Sequence, residues 1–132
     1  MTEIQSKHGI VNRAPAELYM LFVDMRNFVE YLPEDQKSKV TADYDSLKAE
    51  VQGFSMGVRC SAREPYSRVS YVDDGAPFQF NVDFFFEPVE GNDHKTEFHI
   101  NFSAELNLMM KMLLNNMIKE GMDKIVDKLE SL

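Results

Sequence analysis

The feature that most constrains this chain is its last stretch, residues 106–132, LNLMMKMLLNNMIKEGMDKIVDKLESL. No proline interrupts it, and apolar residues recur at helical spacing at Leu106, Met110, Leu113, Met117, Ile125, Leu129 and Leu132. Asn107 is placed to cap the helix N-terminus. About 25 residues of helix run about 38 Å at ~1.5 Å per residue, against a mean of about 11–12 residues in globular proteins. The first half is apolar almost all round, with Leu108, Met109, Met110, Met112, Leu113, Leu114, Met117 and Ile118. The second half is amphipathic, with Lys119, Glu120, Asp123, Lys124, Asp127, Lys128 and Glu130 between the apolar positions. A helix apolar on every side at one end has to be surrounded there, so the rest of the chain is expected to supply a wall.

The preceding chain has the grammar of such a wall. Residues 3–12 alternate, which predicts one strand with Ile4, Ser6, His8 and Ile10 on a shared face. Pro15 fits the first position of a short helix running to residue 23. Asp24 can cap a second one over residues 25–32, burying Phe28, Tyr31 and Leu32 and ending before Pro33. After a polar connection at residues 34–37 the period changes to 2 and stays there for about 70 residues. Val40, Ala42 and Tyr44 alternate with polar neighbours, as do Leu47, Ala49 and Val51. Met56, Val58, Cys60 and Ala62 share a face, as do Phe78, Phe80, Val82, Phe84 and Phe86. Thr96, Phe98, Ile100, Phe102 and Ala104 face in. Turn residues at Asp45-Ser46, Asp73-Asp74-Gly75 and Gly91-Asn92-Asp93 keep the connections short, which means antiparallel pairing. The expectation is an α+β fold of order β-α-α-β6-α, a curved seven-stranded antiparallel sheet wrapped around the C-terminal helix.

This order resembles the START/SRPBCC superfamily, the helix-grip fold of pollen-allergen-like proteins, lipid-transfer domains and polyketide cyclase/dehydrase-like proteins. The residues that carry the likeness are Val11-Asn12-Arg13-Ala14-Pro15-Ala16-Glu17-Leu18-Tyr19, followed by Asp24-Met25-Arg26-Asn27-Phe28. The resemblance implies a cavity between sheet and final helix for a hydrophobic small molecule such as a lipid, quinone or polyketide. It carries no universal catalytic motif, and fold alone does not choose among ligands.

Composition narrows the partners. The 132 residues fit one domain spanning 1–132. A net charge of −8 argues against nucleic-acid binding and against docking on anionic membranes. No apolar run approaches the ~20 residues of a membrane span, so no membrane insertion is expected. The single Cys60 cannot form an internal disulfide, and the N-terminus has no apolar signal region, so a cytoplasmic setting is expected. No Gly-rich phosphate loop or metal-ligand spacing is present, and no cofactor is expected. The chain is expected to act as a monomer or homodimer.

Candidate cavity-lining residues are His8, Tyr44, Cys60, Tyr71, Phe80, Phe84, Phe98, Phe102, Met109, Met110, Leu113, Asn116 and Met117. His8 is in phase with Ile4 and Ile10 and is expected to point inward. Tyr44 and Tyr71 can offer hydroxyls, and Asn115-Asn116 is the uncharged polar break in the apolar half of the helix. Arg59, Arg63 and Arg68 are read as an outer-face cluster beside Glu50 and Glu64. No acid/base pair or nucleophile–base pair is identifiable. The leading expectation is therefore non-enzymatic binding of a hydrophobic small molecule. The alternatives are a cyclase/dehydrase-like enzyme using His8, a cavity tyrosine or Asn115, and a ligand-free domain acting through protein contacts.

Overall fold

Strict alternation over residues 96–104 produces the spine of the molecule, strand β8 (Asn92–Ala104), whose Thr96, Phe98, Ile100, Phe102 and Ala104 are all buried on one face. Its hairpin partner β7 (Phe80–Val89) buries Phe80, Phe84 and Phe86 on the same side. Gly91, in the turn between them, takes φ 80°, a left-handed conformation that carries no Cβ penalty at glycine. The computed structural model describes residues 2–30, 34–51, 54–76 and 78–132.

The remaining strands are β1 (Thr2–Gln5), β2 (Gly9–Val11), β3 (Val40–Ala42), β4 (Ser46–Val51), β5 (Phe54–Glu64) and β6 (Arg68–Asp73). They form an eight-stranded antiparallel sheet in the order β1-β8-β7-β6-β5-β4-β3, with β2 sharing the β8 edge with β1. The sheet is curved and the fold is a helix-grip α+β fold. The eighth strand arises because residues 3–12 do not run as one. Gln5 pairs with Asn101 but Gly9 pairs with Phe98, so the N-terminal segment carries one extra residue, a bulge. The bulge is held in place. Ser6 N–H donates to Ile100 O at 2.9 Å, Ile100 N–H donates to Ser6 Oγ at 2.8 Å, and Lys7 N–H donates to Asp123 Oδ1 at 2.8 Å.

One extra residue reverses every later side chain. Ile4 and Ser6 stay inside, but His8 and Ile10 turn to solvent while Gly9 and Val11 turn in. The expectation that His8 and Ile10 share the inward face is thereby corrected.

Helix α1 (Pro15–Phe22) starts on Pro15 and buries Leu18, Tyr19 and Phe22. Asp24 Oδ1 accepts from Arg26 N–H at 3.0 Å and caps α2 (Arg26–Glu30). The expected continuation through Tyr31 and Leu32 to Pro33, and the burial of Phe28, lie outside the described residues. A further short helix, α3 (Glu34–Lys37), occupies the segment read as a polar connection. The long helix is α4 (Leu108–Glu130), capped as expected by Asn107, whose Oδ1 accepts from Met110 N–H at 2.8 Å.

Two packing centres lie on the helix-bearing face. In the first, Phe22 of α1 stacks on Phe84 at 4.8 Å and on Phe98 at 5.4 Å, and lies 5.6 Å from Phe86, measured between ring centroids. In the second, Met122, Val126 and Leu129 of α4 rest on β1, β2 and β8. The Lys7 ammonium pairs with Asp127 and with Glu130 at 3.6 Å, pinning the same half of the helix. The fully buried residues of α4 all belong to its amphipathic second half. The apolar first half, expected to be the gripped part, projects beyond these contacts.

Candidate functional site

The sheet registers align side chains in rows across the helix-bearing face. One row runs Phe102, Val82, Tyr71 and Cys60 from β8 to β5. The next runs Ala104, Phe80 on β7 and then, on the far strands, Val58 and Leu47. Burial is uneven along the first row and lower on the β5 and β4 side of the second. Phe102, Ala104, Phe80 and Tyr71 are buried, whereas Val82, Cys60, Val58, Leu47 and Met56 are only half-buried. The reason is where α4 lies: it rests on β1, β2 and β8, so it covers one edge of the sheet rather than its middle. From the helix side, Leu106 and Ile118 pack on the core, and Met110 and Leu114 are half-buried. The two half-buried apolar sets, on β4 to β7 and on the inner side of α4, mark the candidate groove.

Its polar groups are committed to the fold. The Tyr71 hydroxyl donates to Phe22 O, and burial raises the tyrosine pKa, so the proton stays on oxygen. Arg63 was expected outside. A register shift between Cys60 and Ala62 places it instead opposite buried Val69, on the helix-bearing face. Its guanidinium donates to Val23 O at 2.9 Å and to Asp45 Oδ1 at 2.9 Å, and lies 4.5 Å from the Tyr44 ring centroid. Tyr71 and Arg63 together satisfy the carbonyls at the end of α1, which helix geometry leaves without partners. Cys60 sits between them, and burial pushes its thiol pKa up, the profile of an unreactive thiol.

The other expected site residues fall elsewhere. Phe84 and Phe98 are in the packed cluster around Phe22. Tyr44 is exposed beneath Arg63. Met109, Leu113, Asn116 and Met117 stand on the solvent side of α4, because the helix turns its 110, 114 and 118 positions to the sheet. His8 stacks on His99 at 4.2 Å on the opposite face of the sheet, with Nδ1 3.0 Å from Glu97 Oε1. A cyclase-type mechanism therefore loses its imidazole from the groove. Of the expected set, Cys60, Tyr71, Phe80 and Phe102 lie on these two rows, and Met110 is half-buried on α4. The sequence reading missed Leu47, Met56, Val58 and Val82 as groove positions, although their period-2 phase with Cys60 and Phe80 already carried the signal.

Two further constellations lie outside the groove. On the opposite face Asp83 is buried, receives the Ser70 hydroxyl and the Asn81 amide at 3.0 Å, and lies 3.5 Å from Arg68. These contacts tie β6 to β7 on that face. A cleft of about 180 Å³ lies between Arg13, Glu17, Leu18, Leu21 and Leu132. It is smaller than the ~300–1,000 Å³ of ordinary small-molecule sites. Among the described residues no cluster of His, Cys, Asp and Glu could hold a metal ion, and no helix is long and apolar enough to cross a membrane.

The sequence matches no protein-family model and no curated protein. Solved structures are similar over nearly the whole chain. A START superfamily protein from Mycobacterium smegmatis matches with a TM-score of 0.68 at 11% identity, covering 98% of this chain and 97% of that one. The Aha1 dimer from Colwellia psychrerythraea gives 0.67 at 14% identity, covering 98% and 97%. XoxI from Bacillus cereus gives 0.71 at 10% identity, covering 99% and 94%. At such identities the likeness speaks for the fold, and the fold of this chain is of the START/SRPBCC helix-grip type.

Proposed function

We propose that the chain binds a hydrophobic small molecule, of the lipid, quinone or polyketide-like class, in the groove between the first half of α4 and strands β4 to β7. The observation that carries this reading is the half-buried apolar set of Leu47, Met56, Val58, Cys60 and Val82, which α4 does not cover because it lies over β1, β2 and β8. The likeness in fold to a START superfamily protein supports it. Affinity comes from removing apolar surface from water, worth ~25 cal/mol per Å². Since Tyr71 and Arg63 are bound to α1 carbonyls, orientation rests on shape more than on hydrogen bonds. Met110 at the groove wall is an unbranched side chain able to fit ligands of varied outline. Organic extraction of the purified protein followed by mass spectrometry tests this. A stoichiometric apolar compound is expected, and an extract indistinguishable from that of a Val82→Trp variant would sink the proposal.

A further inference from the structure

We infer that the outer face of α4 is the contact surface for a second copy of this chain, through antiparallel pairing of the two α4 helices about their Met112–Leu113 segments. Leu108, Met109, Met112, Leu113 and Met117 are exposed by 75%, 71%, 74%, 68% and 38%. Their spacing places them on one side of the helix, turned away from the Met110, Leu114 and Ile118 positions that face the sheet. Together they expose on the order of 600 Å², at the upper end of the largest patch on a typical monomer. That is most of the roughly 800 Å² per partner buried in a standard stable interface.

Charge selects the occupant. The chain carries −8 overall, yet α4 holds four lysines (Lys111, Lys119, Lys124, Lys128) against four carboxylates (Glu120, Asp123, Asp127, Glu130). Two copies meeting through α4 therefore bring together elements that carry no net charge. Lys111 is the only charge among residues 108–118, so the contact buries no unpaired carboxylate. An anionic membrane would repel the rest of the chain. A basic protein partner would be drawn to the acidic surfaces rather than to this neutral one.

The test is sedimentation of the full chain across micromolar to millimolar concentration. Wild type is expected at twice the 15.3 kDa chain mass. The M112E/L113E double variant is expected at the single-chain mass and cooperatively folded, because both side chains are exposed, with a melt that no longer rises with protein concentration as that of the dimer does. An M112K/L113K variant is expected to be monomeric alone and to form a heterodimer when mixed with M112E/L113E. Met20→Glu, an exposed apolar site on α1, is expected to stay dimeric. A wild type that remains at the single-chain mass throughout overturns the inference, as does a dimer that survives M112E/L113E. Flotation of a monomeric wild type with phosphatidylcholine vesicles would give the face to a lipid surface and overturn it equally.

Discussion

Gly9 of β2 lies against α4, and adding one methyl group there probes how the helix is seated. A Cβ on Gly9 would lie 2.5 Å from Val126 Cγ1, 3.0 Å from Glu130 Cδ and 3.1 Å from Glu130 Cγ. Carbon atoms in good contact sit ~3.5–4.0 Å apart, so Val126 would have to retreat by about 1 Å. The Glu130 side chain is exposed and can swing away, but Val126 is fully buried and stiff at χ1. Overpacking of this kind costs ~1–3 kcal/mol. The reduced freedom of the unfolded chain returns ~0.4–1 kcal/mol. Gly9→Ala is thus expected to destabilise by at most about 2.6 kcal/mol. Val126→Ala alone is expected to cost about 2 kcal/mol, from two lost methyl groups and the space they leave. In the Gly9→Ala background it should cost at least ~1 kcal/mol less, because the clash disappears with the Cγ atoms. Urea denaturation of the four proteins completes the cycle. Strictly additive costs would refute the seating of α4 on β2.

Two further perturbations follow from single contacts. Tyr71→Phe removes the donor to Phe22 O and leaves a carbonyl at the end of α1 without that donor, so a loss of ~1–3 kcal/mol in urea unfolding is expected. His99 has its pKa lowered, first by burial and next by His8, with Glu87 and Glu97 opposing. The folded state then binds the proton less well than the unfolded chain, so this group's contribution is complete above the ordinary value of 6.5 and is lost as pH falls through it. His99→Phe keeps a ring on Phe85, now 4.8 Å from the imidazole, and abolishes the titration. The drop in urea midpoint from about pH 7 to about pH 5 is expected to be smaller in the variant. An equal drop would contradict the assignment.

Much of this fold was legible because local signals agreed with one another. Asn107 before an apolar run, Pro15 after a strand, and strict alternation from Thr96 to Ala104 each have one cheap structural solution, and the chain takes it. What could not be read were the places where one residue is added to a ladder. The extra residue between Gln5 and Gly9 leaves composition and alternation intact, yet it moves His8 to the opposite face. The irregularity between Cys60 and Ala62 does the same to Arg63. Both are fixed by distant partners, Asp123 on α4 for the first and the end of α1 for the second. The first half of α4 misled for another reason. An all-round apolar helix is expected to be surrounded, but sequence does not say by what, and within this chain its outer face stays uncovered. Four of the five α4 residues expected to line a cavity, Met109, Leu113, Asn116 and Met117, therefore stand on that outer face.

The most direct measurement is native mass spectrometry of the wild type, Met112→Ala and Val82→Trp, as purified and after incubation with palmitate or with a naphthoquinone. One apolar molecule per chain is expected on the wild type and on Met112→Ala, and none on Val82→Trp, with all three unfolding cooperatively. Equal occupancy of Val82→Trp, or a wild type that holds neither a co-purified compound nor either probe, would contradict a ligand groove between α4 and strands β4 to β7.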